Sequence, residues 1–173
     1  MTTTDQTATS ERADLLQTLA KHRHFLRQTV RGLTDEQAGQ RTTVSELCLG
    51  GLINHVARTE RQWVSFILDE PSGLGGWDEG SVNDHAAGFR MLDGETLAGI
   101  LDTYEQVARR TDELVVTMPD LDISHPLPQA PWFEPGARWS ARRVLLHIIA
   151  ETAQHAGHAD IIRESLDGAK SMG

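Results

Sequence analysis

Residues 140–168 read SARRVLLHIIAETAQHAGHADIIRESLDG, and their reading decides the fold. Ser140 is a good N-cap, because its hydroxyl can accept an orphan backbone N–H of the first turn. Asp167-Gly168 supplies a stop, since glycine accepts the left-handed conformation that often ends a helix. The segment between holds no proline, and Leu145, Leu146, Ile148, Ile149, Ile161 and Ile162 flank its polar residues. A helix from Ser140 to about Leu166 is expected, with much of its surface buried.

Working outward, the rest of the chain repeats this pattern without an internal sequence repeat. Leu15, Leu16, Leu19, Leu26 and Val30 keep a 3.6-residue period from Ser10 to Gly32. Residues 34–37, Thr-Asp-Glu-Gln, form a capping-box sequence for a short helix. A long helix is expected over residues 45–68, followed by the Gly-rich loop GLGGWDEG. Another is expected after Asp93, carrying Leu97, Ile100, Leu101, Tyr104, Val107, Leu114 and Val115 before Pro119. Residues 119–139 contain most of the prolines and no helical period, so they read as a long ordered crossover loop. No run of alternating strand residues competes. The expected fold is all-α, a four-helix bundle with a long crossover before the last helix. The domain would span residues 10–168, between a frayed tail at 1–9 and a short tail at 169–173.

Composition excludes several functions. The chain has 173 residues, 39% hydrophobic and 24% charged, which suits one globular domain. Its 25 acidic and 16 basic residues give a formal charge of −9. Such a surface repels polyanions, and no basic cluster exceeds Arg109-Arg110 or Arg142-Arg143, so no nucleic acid is expected as partner. No segment reaches the roughly 20 apolar residues of a membrane span. The polar start MTTTDQTATSERAD lacks a signal-peptide core, and the single cysteine, Cys48, allows no internal disulfide. A cytoplasmic location is expected.

The last helix also carries a chemical constellation. Each helical residue advances about 100°, so with His147 at zero, Glu151 lies near about 40°, His155 near about 80° and His158 near about 20°. All four share one stripe. Groups four apart stack on a helix surface, the spacing by which HExxH helices hold zinc. One helix supplies only two or three convergent ligands, so a closed site needs another. On the helix at 45–68, His55 shares a mostly apolar face with Leu52, Thr59, Gln62, Trp63 and Phe66. An imidazole there needs a partner for its ring nitrogens. The plain alternatives are a hydrogen-bonded core histidine for His55 and an exposed polar face for the stripe. Burying several ionisable groups unpaired is costly, which together favours a metal. Spacing alone does not choose among the histidines.

The segments GLINHVARTERQW (51–63) and LLHIIAETAQHAGHADIIRESLDG (145–168) resemble the DinB-like superfamily of metal-binding four-helix bundles. The similarity is greater to its actinobacterial branch, which includes mycothiol-dependent enzymes. The resemblance spans essentially the whole chain. It implies His55, Glu151 and His155 as metal ligands; where many relatives have histidine this chain has Glu151, as the maleylpyruvate isomerase branch also has glutamate. His158 is then an outer residue or an alternative ligand, and His147 could hydrogen-bond Glu151. Two imidazoles and one carboxylate leave a coordination position open, as in catalytic zinc. Zinc is the first choice, although nitrogen and oxygen donors also admit nickel, manganese or iron.

The expected activity is a metal-dependent thiol S-transferase. A mycothiol-like low-molecular-weight thiol, activated on the cation, would add to electrophilic small molecules in detoxification, with no side chain as covalent nucleophile. The rivals are a metal-dependent ester or amide hydrolase, a non-enzymatic metal-binding stress-response module, and a metal-free bundle. Cys48, with no base beside it, reads as packing. His22 and His24 point about 200° apart and read as surface groups; His85 and His125 read as exposed loop residues. Trp132, Phe133 and Trp139 read as packing the crossover rather than as a lid. Arg58, Arg142 and Arg163 read as salt-bridge residues rather than as thiol-cofactor clamps. A homodimer is anticipated from the superfamily, with no face identified.

Overall fold

The computed structural model describes residues 3–70, 73–74 and 88–171, with residues 3–9 as backbone alone. The GLGGWDEG loop beyond Leu74, and His85, lie outside the described residues. Among the described residues, five helices and one small sheet follow in the order α1 (Thr3–Gln28), α2 (Asp35–Gly39), α3 (Leu49–Ile67), α4 (Leu97–Thr117), β1 (Ser124–Pro126), β2 (Arg138–Ser140) and α5 (Ala141–Asp167). The described chain is thus predominantly helical. Helix α1 packs on α5, and α3 packs on both α4 and α5, with a lighter α1–α4 contact completing the ring.

Several helix ends follow the sequence signals. Thr34 and Gln37 form the reciprocal capping box of α2. The Ser140 hydroxyl accepts the Arg143 N–H, and Gly168 closes α5 with φ 79°. Others do not. Helix α1 begins at Thr3 rather than Ser10, because the preceding residues hold no glycine or proline to stop helical hydrogen bonding spreading upstream. Helix α3 begins at Leu49 rather than at 45, because the Thr43 and Ser45 hydroxyls instead accept the N–H groups of Ser45 and Leu47 in local turns. Helix α4 is capped by Thr96, not Asp93, and the carboxylate of Asp35 on α2 takes the Leu97 N–H at 2.7 Å.

The crossover departs from the all-α expectation. Ser124, His125 and Pro126 pair antiparallel with Ser140, Trp139 and Arg138. Three residues per strand, one of them proline, are too few to show a period of two. The ribbon brings the carbonyls of Ile123 and Leu121 to the N–H groups of Ala141 and Arg142, both at 2.9 Å. Two of the four orphan donors of α5 are satisfied in this way. Trp139 stacks on Trp63 of α3 at 4.9 Å, which fastens the crossover to the helices. The chain from 119 to 139 therefore packs, as expected, although Trp132 stays largely exposed.

Two apolar clusters fill the interior. One gathers Leu15, Leu19, Trp63, Leu114, Val144 and Ile148 with their neighbours; the other gathers Leu26, Leu52, Val56, Tyr104, Ala156 and Ile162 with theirs. Between them along the helices lie Arg23, Glu60, Thr111 and Thr152, all buried. Arg23 forms an ion pair with Glu60 and another with Asp112 at 2.7 Å, and Thr111 donates to Glu60 at 2.5 Å. Burial pulls the Arg23 pKa down, but the charge and hydrogen bond of Glu60, with those of Asp112, outweigh it and the net shift is upward.

Candidate metal centre

Helix α3 meets α5 where His55 faces Glu151 and His155. One donor atom from each of the three lies within 4.8 Å of the others, and both histidines are buried. The His155 ring stands edge-on to His55 with centroids 4.8 Å apart. Its Nε2 lies 3.5 Å from a Glu151 oxygen, while its Nδ1 lies 3.4 Å from Nδ1 of His158. The other Glu151 oxygen lies 3.8 Å from His147 Nε2. Thus the sequence stripe folds into a line of contacts, His147–Glu151–His155–His158, with His55 arriving from the second helix.

The electrostatics suit a ligand set. Hydrogen bonding with His155 holds the Glu151 carboxyl below its ordinary pKa, against the opposing effect of burial, and the nearby His147, His155 and His55 add to the lowering. The carboxylate is therefore ionised at neutral pH. Burial lowers the His147 pKa, opposed by Glu151 and aided by Arg143, which favours a neutral ring. Trp63 and Trp139 present to that ring at 4.9 and 5.2 Å. Tetrahedral donors held about 2.0–2.2 Å from one cation lie about 3.3–3.6 Å apart. The observed 4.8 Å limit therefore needs the widest pair to close by about an ångström, within reach of side-chain rotation, so the three residues fit a divalent ion once they draw in. Two imidazoles and a carboxylate suit zinc and leave space for an exogenous ligand.

Phe89 completes the site, and nothing in its local spacing marked it. Its ring stacks on His55 at 3.9 Å and lies 5.9 Å from His155. The approach depends on glycine: a Cβ on Gly51 would lie 1.9 Å from the Phe89 carbonyl oxygen, and one on Gly50 would lie 2.2 Å from the Met91 sulfur. Gly51→Ala must therefore push the 88–91 segment off α3. We expect a loss of about 1–3 kcal/mol from overpacking, and zinc affinity about tenfold or more weaker as His55 loses its stacked support. Denaturant unfolding and competition with a chromogenic chelator would measure both. Gly39→Ala, whose Cβ meets Met91 only at 3.9 Å, should leave both near wild type.

The remaining candidates lie elsewhere or serve packing. Cys48 is buried with its sulfur 3.8 Å from the Phe89 carbonyl oxygen. His22 and His24 flank Phe25 on α1. His125 is not an exposed loop group: it sits on β1 against Phe66 and 3.7 Å from Asp69, because strand pairing turns it toward α3. Arg142 binds Glu11 and Asp122; Arg163 binds Asp167 and the carbonyls of Thr29 and Arg31. Arg58 forms no ion pair among the described residues.

A family model described as mycothiol-S-transferase matches residues 14–168. Among solved structures, a conserved protein from Enterococcus faecalis has a similar fold, with a TM-score of 0.64 and 16% identity, covering 98% of this chain and 99% of that one. No curated protein gives a significant match. No described helix is long and apolar enough to cross a membrane.

Proposed function

Because the chain belongs to the mycothiol-S-transferase family, we propose that it is a metal-dependent thiol S-transferase built on a DinB-like four-helix bundle and acting in the cytoplasm. The observation that carries the metal dependence is the convergence of His55, Glu151 and His155 from two helices. These three residues would hold the cation, with zinc as first choice. When bound, the ion supplies the positive charge that stabilises the thiolate form of an incoming thiol, mycothiol by the family's name.

The chain's own groups then have distinct tasks. Glu151 is ionised and offers a charged donor, with His147 Nε2 standing 3.8 Å from its second oxygen. If His155 offers Nε2 to the cation, its Nδ1 keeps the proton and donates to His158 Nδ1. That contact fixes both tautomer and ring plane, as outer partners of metal ligands commonly do. Phe89 packs on His55 at one side of the donors, and the Trp63–Trp139 stack lies beyond His147 at the other. In the reaction the thiol S–H bond breaks and its proton passes to solvent. Sulfur bonds to the electrophilic carbon as that carbon's bond to its leaving group (chloride in a chloroalkyl substrate) breaks or, in an addition, as the neighbouring carbon takes a proton from water.

Zinc-loaded protein incubated with monochlorobimane should form the thioether only when a cofactor thiol such as mycothiol is added. The rate should disappear with chelator and return with zinc. Turnover of ester substrates without thiol would replace this reading with a hydrolase. Zinc binding with neither thiol-dependent product nor a thiol-induced rise in Tm would replace it with a non-enzymatic module.

A further inference from the structure

On α3, two polar side chains next to the metal centre are not used by the fold around them. Arg58 is half-buried, as are Arg12, Arg27, Arg142 and Arg163, and each of those four holds a carbonyl or a carboxylate. Arg58 makes no hydrogen bond, ion pair or ring contact among the described residues. Its helical neighbours give the reason: Asn54, His55, Arg61 and Gln62, three and four residues away, carry no carboxylate. Thr59, the next residue, is also half-buried. Among the described residues every other threonine side chain takes part in a hydrogen bond, as Thr111 and Thr152 do with carbonyls four residues back. Thr59 does not.

Both residues lie level with the metal donors. The rings of His55 and His155 have centroids 4.8 Å apart, and those of Trp63 and His147 4.9 Å apart. Eight residues up α3 therefore match eight down α5, which puts Thr59 level with Glu151. With His55 at zero around the α3 axis, Arg58 lies about 60° to one side and Thr59 about 40° to the other. Both start roughly one helical turn, about 5.4 Å, beyond His55. Thus a cation and a hydroxyl flank the stretch of groove where the three donors converge.

Resting on the S-transferase reading above, we propose that Arg58 and Thr59 form a subsite for a carboxylate carried by the electrophile, about one helical turn from the carbon that sulfur attacks. A guanidinium offers a planar fork of N–H donors that matches two carboxylate oxygens, and a threonine hydroxyl adds another donor. A chain of formal charge −9 repels small anions in general, so a local cation is what admits one.

The test compares 4-(chloromethyl)benzoate with the neutral 4-(chloromethyl)benzamide, whose para ring spans about one helical turn, about 5.4 Å. With zinc and a cofactor thiol such as mycothiol, sulfur bonds to the benzylic carbon of either, chloride leaves, and the thiol proton passes to solvent. Wild type should favour the benzoate in kcat/KM by roughly tenfold or more, the worth of hydrogen bonds to a charged group. Arg58→Met keeps the aliphatic stem and should abolish that preference. Thr59→Val should reduce it roughly two- to tenfold, and Thr59→Ser should restore it. Zinc affinity by chelator competition should stay at the wild-type value in all three. Independently of turnover, unreactive 4-methylbenzoate should raise the Tm of the zinc-loaded chain, with or without thiol, and 4-methylbenzamide should not. Arg58→Met should lose that rise; a rise that survives assigns the carboxylate to the cation and overturns the subsite. Equal rates for the two electrophiles in wild type also overturn it, as does a preference retained by Arg58→Met. If thiol-dependent product forms from neither, the S-transferase reading fails, and the 4-methylbenzoate shift alone decides the subsite.

Discussion

Glu60→Ala is expected to destabilise the chain by about 3–5 kcal/mol, the usual result of stranding one member of a buried ion pair. Glu60 is 1% exposed and Arg23 is 4% exposed, so the guanidinium would keep only the half-exposed Asp112 as ion-pair partner and have little water to turn to. Thr111 would also lose the nearer of its two acceptors, keeping the Val107 carbonyl at 3.1 Å. Against a typical total stability of about 5–15 kcal/mol, the loss leaves a marginal protein. Glu60→Gln keeps acceptors for Arg23 and Thr111 and should lose less. Asp112→Ala, at the half-exposed end of the network, should cost about 1 kcal/mol or less. Urea unfolding of the three variants would measure the order. A Glu60→Ala loss no larger than that of Asp112→Ala would show that the layer between the two apolar clusters is not energetically coupled.

His155→Ala is expected to have the largest effect on the metal centre. It removes one of three donors and the contact that contributes most to lowering the Glu151 pKa. Zinc affinity should fall by more than the roughly 10–100-fold typical when an outer partner is lost, the fall expected for His158→Ala. Thiol binding should decline in parallel. Linkage gives a readout independent of turnover: at free zinc about 100 times Kd, binding stabilises the folded state by about 2.7 kcal/mol. The wild-type chain should show that zinc-dependent rise in stability, and His155→Ala should lose it while remaining folded. Unchanged zinc affinity in a folded His155→Ala variant would dismiss this residue as a ligand.

Much of this molecule was legible before any coordinates. The apolar patterning marked all four long helices among the described residues, Ser140 and Gly168 marked both ends of α5, and Thr34 marked the start of the short α2. Those signals are local, and hydrogen bonds three or four residues apart enforce them. The i,i+4 spacing of Glu151 and His155 similarly determined that two donors share a face. The family resemblance, not the spacing, singled out His55 from the remaining histidines.

Other features depend on contacts across long stretches of chain. Thr96 caps α4 in a setting where Asp35, distant in sequence, already holds the Leu97 N–H. The crossover ribbon exists because the first N–H groups of α5 need the carbonyls of Leu121 and Ile123. Phe89 reaches His55 only because Gly51 has no side chain in its path, a pairing that no local pattern encodes. The sequence by itself determined helices, their ends and the donors within a single turn, since those depend on neighbours along the chain. Tertiary structure alone decided how the donors of α3 and α5 meet, what covers them and which charges are buried, because those depend on the packing of distant segments.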